Sequence, residues 1–182
     1  MESTWFNEVI VRSYHGQSVD VKPIDILKPG LKRIFEELDR FFADNSYQCD
    51  FVTVIDSLTL KIEGLLRYFC EKIGVATFKT RQKGSDKLVM EKLLDDLLAD
   101  IAHEPPLKPE QKTNFDEEDR ILIKYVLAEK AGLNLRNAVA HSLMDIFEYS
   151  FEHIVILFCI IMKLSKYKFI DTKKDNNVNS SK

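Results

Sequence analysis

The chain is poor in the residues that staple small proteins or hold metals. Its three cysteines, Cys49, Cys70 and Cys159, are odd in number, far apart and without metal-ligand spacing, which argues against a disulfide framework or a thiolate metal cluster. Three buried thiols in a reducing cytoplasm are the simplest reading. Six glycines and five prolines in 182 residues form no glycine-rich phosphate loop. The longest apolar run, 154–162, is far too short to span a bilayer and reads as a helix buried on most sides. No apolar segment follows Met1-Glu2-Ser3-Thr4, so no signal peptide is expected. The expectation is a cytoplasmic protein without membrane contact. Excess charge is lacking too. A net charge of −3 makes the chain no blanket nucleic-acid binder, so any RNA contact must come from a local basic patch. Ser57, Ser142 and Ser150 have no nucleophile setting, which argues against a hydrolase triad. No cofactor and no metal are expected.

What is present is helical periodicity, long enough in total for a sizeable core. The first stretch is the exception: Val9-Ile10-Val11 and Val19-Asp20-Val21 flank a glycine-containing turn and suggest a small hairpin or irregular arm. Beyond Pro29-Gly30, the residues Leu31, Ile34, Phe35, Leu38, Phe41 and Phe42 recur at helical spacing to about position 44, with the phenylalanines read as core. A long second helix is expected over about 50–73, ended by Gly74. Positions 77–85 read as a basic loop, and Ser85 or Asp86 as the cap of a third helix running to about 101. A proline-rich loop follows. Asp116 starts a fourth helix that Gly132 stops, and a final helix is expected over about 146–167. The predicted fold is all-α: an antiparallel bundle of four to five helices with a short N-terminal arm. Its parts are an arm over 1–27, the bundle over 28–170 and a polar, disordered tail over 171–182.

The candidate chemistry lies in Arg136-Asn137-Ala138-Val139-Ala140-His141. Arginine keeps its charge at any working pH and offers a phosphate a forked donor pair. Histidine changes charge near neutrality and can pass a proton. Asn137 and His141, four apart, share a helix face, whereas Arg136 lies about 140° from His141 and must curl its side chain to join them. The competing reading is that Arg136 and Asn137 cap a turn while His141 packs at a helix edge. Glu63 sits at the edge of the second helix's apolar stripe, on the flank shared with Asp56, where a carboxylate can orient Arg136 or His141. Its alternative role is an ordinary pair with Arg67, four residues on. His15, His103 and His153 have no partners at telling spacing and read as surface or edge residues.

These residues carry a resemblance. Arg-x4-His with Asn after the Arg, near the start of the last long helix of a bundle, resembles the HEPN superfamily. The longer run Gly132-Leu133-Asn134-Leu135-Arg136-Asn137-Ala138-Val139-Ala140-His141 is similar to a bacterial branch of it, an uncharacterised C-terminal domain, as is Leu60-Lys61-Ile62-Glu63-Gly64-Leu65-Leu66-Arg67-Tyr68. The resemblance covers roughly residues 28–168. It departs after the histidine, where that branch has Gly and this chain has Ser142; the helix is therefore expected to run on differently there. The resemblance implies a metal-independent endoribonuclease of a toxin or antiviral-defence setting. It would cleave single-stranded RNA by 2′-hydroxyl attack, with His141 moving a proton, Arg136 stabilising phosphoryl charge, Asn137 holding the phosphate or fixing the imidazole, and Glu63 in support. It implies a homodimer, so that two motifs share one cleft, and an antitoxin or a larger parent protein as further partners. The alternative is a non-catalytic dimerisation or nucleotide/RNA-binding module of a larger protein.

Overall fold

A computed structural model of the chain describes residues 5–83, 86–103 and 115–169. The expected tail, the proline-rich loop and the histidine side chain at 103 lie outside what it describes. The fold is mostly helical, with two antiparallel hairpins: β1 (Ile10–Tyr14) with β2 (Gln17–Val21), and β3 (Phe78–Lys83) with β4 (Asp86–Glu91). The helices are α1 (Lys28–Ala43), α2 (Val52–Lys72), α3 (Leu94–His103), α4 (Glu117–Leu127), α5 (Leu135–Ala140) and α6 (Phe151–Ser165). No helix among the described residues is long and apolar enough to cross a membrane.

α2 is the central rod, packed against α1, α3, α5 and α6. Its stripe of Ile55, Leu58, Ile62, Leu65, Leu66 and Phe69 is wholly inaccessible, and each such side chain contributes roughly 1.5–3 kcal/mol on burial. α1 can lie close because Gly30 has no Cβ; one there would meet Leu58 Cδ2 at 2.7 Å. Gly74, at φ 75°, ends α2 as expected. Val75 N donates to Cys70 O and Gly74 N to Glu71 O, the paired bonds of a helix closed by a left-handed residue. The arm joins the same core. Trp5 is buried, and its Nε1 donates to Leu164 O at 2.8 Å.

Several expectations fail here. The basic loop and the start of a third helix at Ser85 or Asp86 are instead the β3–β4 hairpin, and α3 begins only at Leu94. Leu88, Val89, Leu93, Leu94, Leu97 and Leu98 can be read at helical spacing. However, the first two are half exposed on a strand and only the last three are buried. Phe35 (61% exposed), Phe41 (39%) and Phe42 (75%) are not core. α4 stops at Leu127, before Gly132. What Gly132 supplies is space, since a Cβ would fall 2.1 Å from Tyr125 O. The final helix is divided into a short 3₁₀ turn, Ile146–Glu148, and α6. The run 154–162 buries one side only, leaving Val155, Phe158 and Met162 about half exposed. Of the thiols, Cys70 is buried, Cys49 half-buried and Cys159 exposed. Burial pushes the Cys70 pKa up to about 12.

Candidate active site

The motif occupies α5 and its two ends. Asn134 precedes the helix at φ 50°, a left-handed conformation that asparagine adopts more readily than most residues. Its side-chain oxygen accepts from Asn137 Nδ2 at 2.7 Å, and its carbonyl accepts from Asn137 N and Ala138 N. The far end is closed in the same manner as α2. Ser142 N donates to Val139 O at 3.1 Å and Leu143 N to Ala138 O at 2.7 Å, with Ser142 at φ 53°. The helix therefore does not run on past His141. Ser142 takes the conformation that glycine takes at no steric cost.

Arg136 and Glu63 come together. Arg136 Nε donates to Glu63 Oε2 at 2.9 Å and its Nη1 to Asn137 Oδ1 at 3.2 Å. The other oxygen of Glu63 accepts from Arg67 Nη2 at 2.8 Å, and that nitrogen also donates to Lys92 O at 2.7 Å. Both readings of Glu63 are thus realised at once, in a carboxylate clasped between two guanidinium groups. All three side chains are at least three-quarters buried. Two cations around one buried carboxylate leave the cluster locally positive, although Glu91, largely exposed, approaches Arg67 at 3.6 Å. Arg136 Nη2 has no partner among the described residues.

His141 is placed differently. It caps the C-terminal end of α5, five residues and about 7.5 Å of helix rise from Arg136. It is exposed, and its ring has no partner among the described residues. Glu63 orients Arg136 and not the imidazole. Asn137 bonds both neighbours, Asn134 and Arg136, and lines a groove of about 470 Å³ together with Arg120, Lys124 and Lys130. Asp56, on the same flank of α2, accepts from Tyr149 OH at 3.1 Å and stays outside the cluster. His15 stands in the β1–β2 turn, and His153 Nδ1 lies 2.7 Å from Glu148 O.

Sequence reasoning missed Arg67's second role and the backbone carbonyl of Lys92, because the hairpin that delivers Lys92 was not foreseen. It also missed two buried carboxylates. Glu37, wholly buried on α1, takes Asp50 N at 2.7 Å, Tyr47 OH at 2.9 Å and Arg33 Nη2 at 2.7 Å. Burial alone would push its pKa up, but these donors hold it low. Asp119 on α4 takes Lys163 Nζ at 2.7 Å, Lys166 Nζ at 2.6 Å and Tyr167 OH at 2.6 Å. Its pKa is likewise pushed up by burial yet drawn down to about 2 by those donors. Glu37 ties α1 to the segment that follows it, and Asp119 ties α4 to the end of α6.

Fold and site thus define a mostly helical bundle in which an Arg–Glu–Arg cluster meets a short helix ending in an exposed histidine. Comparison with known proteins adds nothing to that description: no family model, no curated protein and no solved structure matches the chain.

Proposed function

We propose that the chain is a HEPN-type, metal-independent endoribonuclease acting on single-stranded RNA. The observation that carries the reading is the division of labour along α5. Arg136 is held by Glu63 and Asn137, and among the described residues one of its nitrogens is unengaged and the His141 ring, at the other end, has no partner. A fixed guanidinium suits a phosphoryl group whose charge is growing, because its orientation is settled before the reaction begins. A solvent-facing imidazole suits proton transfer. In the reaction His141 takes the proton of the 2′-hydroxyl, and the freed oxygen attacks phosphorus. The bond from phosphorus to the 5′-oxygen breaks, and a proton goes to that oxygen. The products are a 2′,3′-cyclic phosphate and a 5′-hydroxyl. Two proton transfers need two groups, so the histidine of a second copy completes the site in a homodimer.

A second reading, a binding module without catalysis, is favoured by one observation. The Arg136–Glu63–Arg67 cluster ties α5 to α2 and to the base of the β3–β4 hairpin, a structural task in its own right. A substrate with one 2′-deoxynucleotide separates the two readings. The nuclease cuts everywhere except 3′ of that nucleotide, with EDTA present throughout. Cleavage at the deoxy position, or cleavage that needs added Mg²⁺, overturns the mechanism; no cleavage of any RNA leaves the module.

A further inference from the structure

The β3–β4 hairpin is a basic arm on an acidic molecule. Its strands carry Lys79, Arg81, Lys83 and Lys87 against Asp86 and Glu91, in a chain of net charge −3. The arm is wired to the candidate site, because Lys92, just beyond β4, accepts from the same Arg67 nitrogen that holds Glu63, the partner of Arg136. Between the base of the arm and the outer face of α2 lies a groove of about 340 Å³. Lys61, Arg67, Tyr68 and Phe78 line it; its carboxylates are Glu71, paired with Arg12, and Glu91, near Arg67. Lys61 is exposed and without a partner among the described residues, and Phe78 is 54% exposed.

The strand register extends this groove outward. Phe78 pairs with Glu91, Thr80 with Val89 and Gln82 with Lys87, and such alternate pairs share one face of a hairpin. Lys87 therefore lies on the face of Phe78, about 13 Å further along at ~3.3 Å per residue. It is exposed and has no partner among the described residues. Arg81 and Lys79 lie on the opposite face, where Lys79 is engaged by Asp96. The face of Phe78 thus carries Phe78, Val89 and, as its one cation among the described residues, Lys87, with Glu91 opposite Phe78. It meets Lys61 and Arg67 at its base, where Arg67 holds the Glu63 that holds Arg136. Positive groups spaced along a groove track a phosphate backbone, and exposed aromatic rings take a stacked base.

We propose that this groove and the Phe78 face of the β3–β4 hairpin form the track on which single-stranded RNA lies as it enters the Arg136–His141 site. Lys61, Arg67 and Lys87 meet phosphates, and Phe78 stacks a base. The proposal rests on the ribonuclease reading and names how that site takes its substrate.

The test is anisotropy titration of the whole protein against a fluorescein-labelled 2′-O-methyl oligoribonucleotide, which binds but lacks the attacking hydroxyl, at several salt concentrations. Lys61→Gln with Lys87→Gln should lower the slope of log affinity against log salt by about 1.4, at ~0.7 per lost phosphate contact. Phe78→Ala should weaken binding on the order of tenfold. Arg81→Gln, on the other face, should do neither, and all the variants should melt as the wild type does. A double variant that binds like wild type, or an Arg81 variant that weakens binding equally, overturns the track. So does a wild-type protein that binds no oligonucleotide. Cleavage of unmodified RNA with unaltered binding by the variants rejects the track alone. Binding that follows the predicted pattern without any cleavage rejects the nuclease alone.

Discussion

At the scale of single residues, the structure separates two side chains that the sequence motif presents as a pair. His141 faces solvent; its backbone N–H donates to Asn137 O, and its ring has no partner among the described residues. His141→Ala should leave thermal melting unchanged and remove proton transfer, a loss on the order of 10²–10⁴ in rate. Arg136 is three-quarters buried against Glu63. Arg136→Ala should cost about 1–2 kcal/mol of stability, since Glu63 keeps Arg67 but loses one of its two donors. RNA cleavage should fall by on the order of 10²–10³, by analogy with lost oxyanion donors. Chemical denaturation of the two variants beside their cleavage rates checks the contrast; equal stability loss in both would count against it. Ser142 offers a third case. A non-glycine residue in the left-handed region costs roughly 1–2 kcal/mol, partly offset by the greater freedom of glycine in the unfolded chain. Ser142→Gly should therefore raise the melting temperature, and a lower one would show that the serine side chain contributes something the backbone does not.

At the scale of elements, legibility followed the hydrophobic period. α2 was readable because its stripe is long, continuous and closed by Gly74. The helical character of the motif was legible, since Asn137 and His141 stand four apart on one helix face, but its separation from the last long helix as the short helix α5 was not. The β3–β4 hairpin was hidden for a physical reason. Among the described strand residues none faces the core, so no alternation of buried and exposed residues announces the hairpin, and the leucine of β4 runs on into those of α3. The clue available was Gly84-Ser85, a two-residue glycine-led connection of the kind that joins hairpin strands. The phenylalanines of α1 misled in the opposite direction: a perfect helical spacing says which face is apolar, not that something covers it. Buried carboxylates such as Asp119 leave no sequence signal, because their partners Lys163, Lys166 and Tyr167 are more than forty residues away. That cluster joins α4 to α6 and gives a pH prediction. The folded pKa of about 2 is below the ordinary 3.8. The contribution, on the order of 2 kcal/mol, is present above pH ~4 and is lost as pH falls towards 2. Asp119→Asn should flatten the acid limb of a stability-against-pH curve; an unchanged acid limb would contradict the assignment.

At the scale of the whole molecule, much apolar surface lies around the motif's end of the chain. Leu143, Ile146 and Phe147 follow His141 directly and are 71%, 66% and 93% exposed. Phe151, Val155, Phe158 and Met162 continue as a stripe on α6 at spacings of four, three and four, the period of a helix-on-helix seam. Among the described residues the core takes the other side of α6 and leaves this face about half exposed, available to the second copy that the proposed mechanism calls for. Phe158→Glu should shift the mass measured by light scattering at micromolar concentration from dimer to monomer and lower cleavage with it. A monomeric wild type would remove the second histidine from the mechanism.

The central claim is that the Arg136–His141 helix cleaves RNA, and it meets its most direct test in one experiment. End-labelled single-stranded RNA is incubated with the wild type and with His141→Ala in EDTA, and the product ends are identified. The account predicts fragments ending in 2′,3′-cyclic phosphate from the wild type and their loss in a variant that melts at the same temperature. Cleavage of equal rate by both proteins, or by neither, would contradict it.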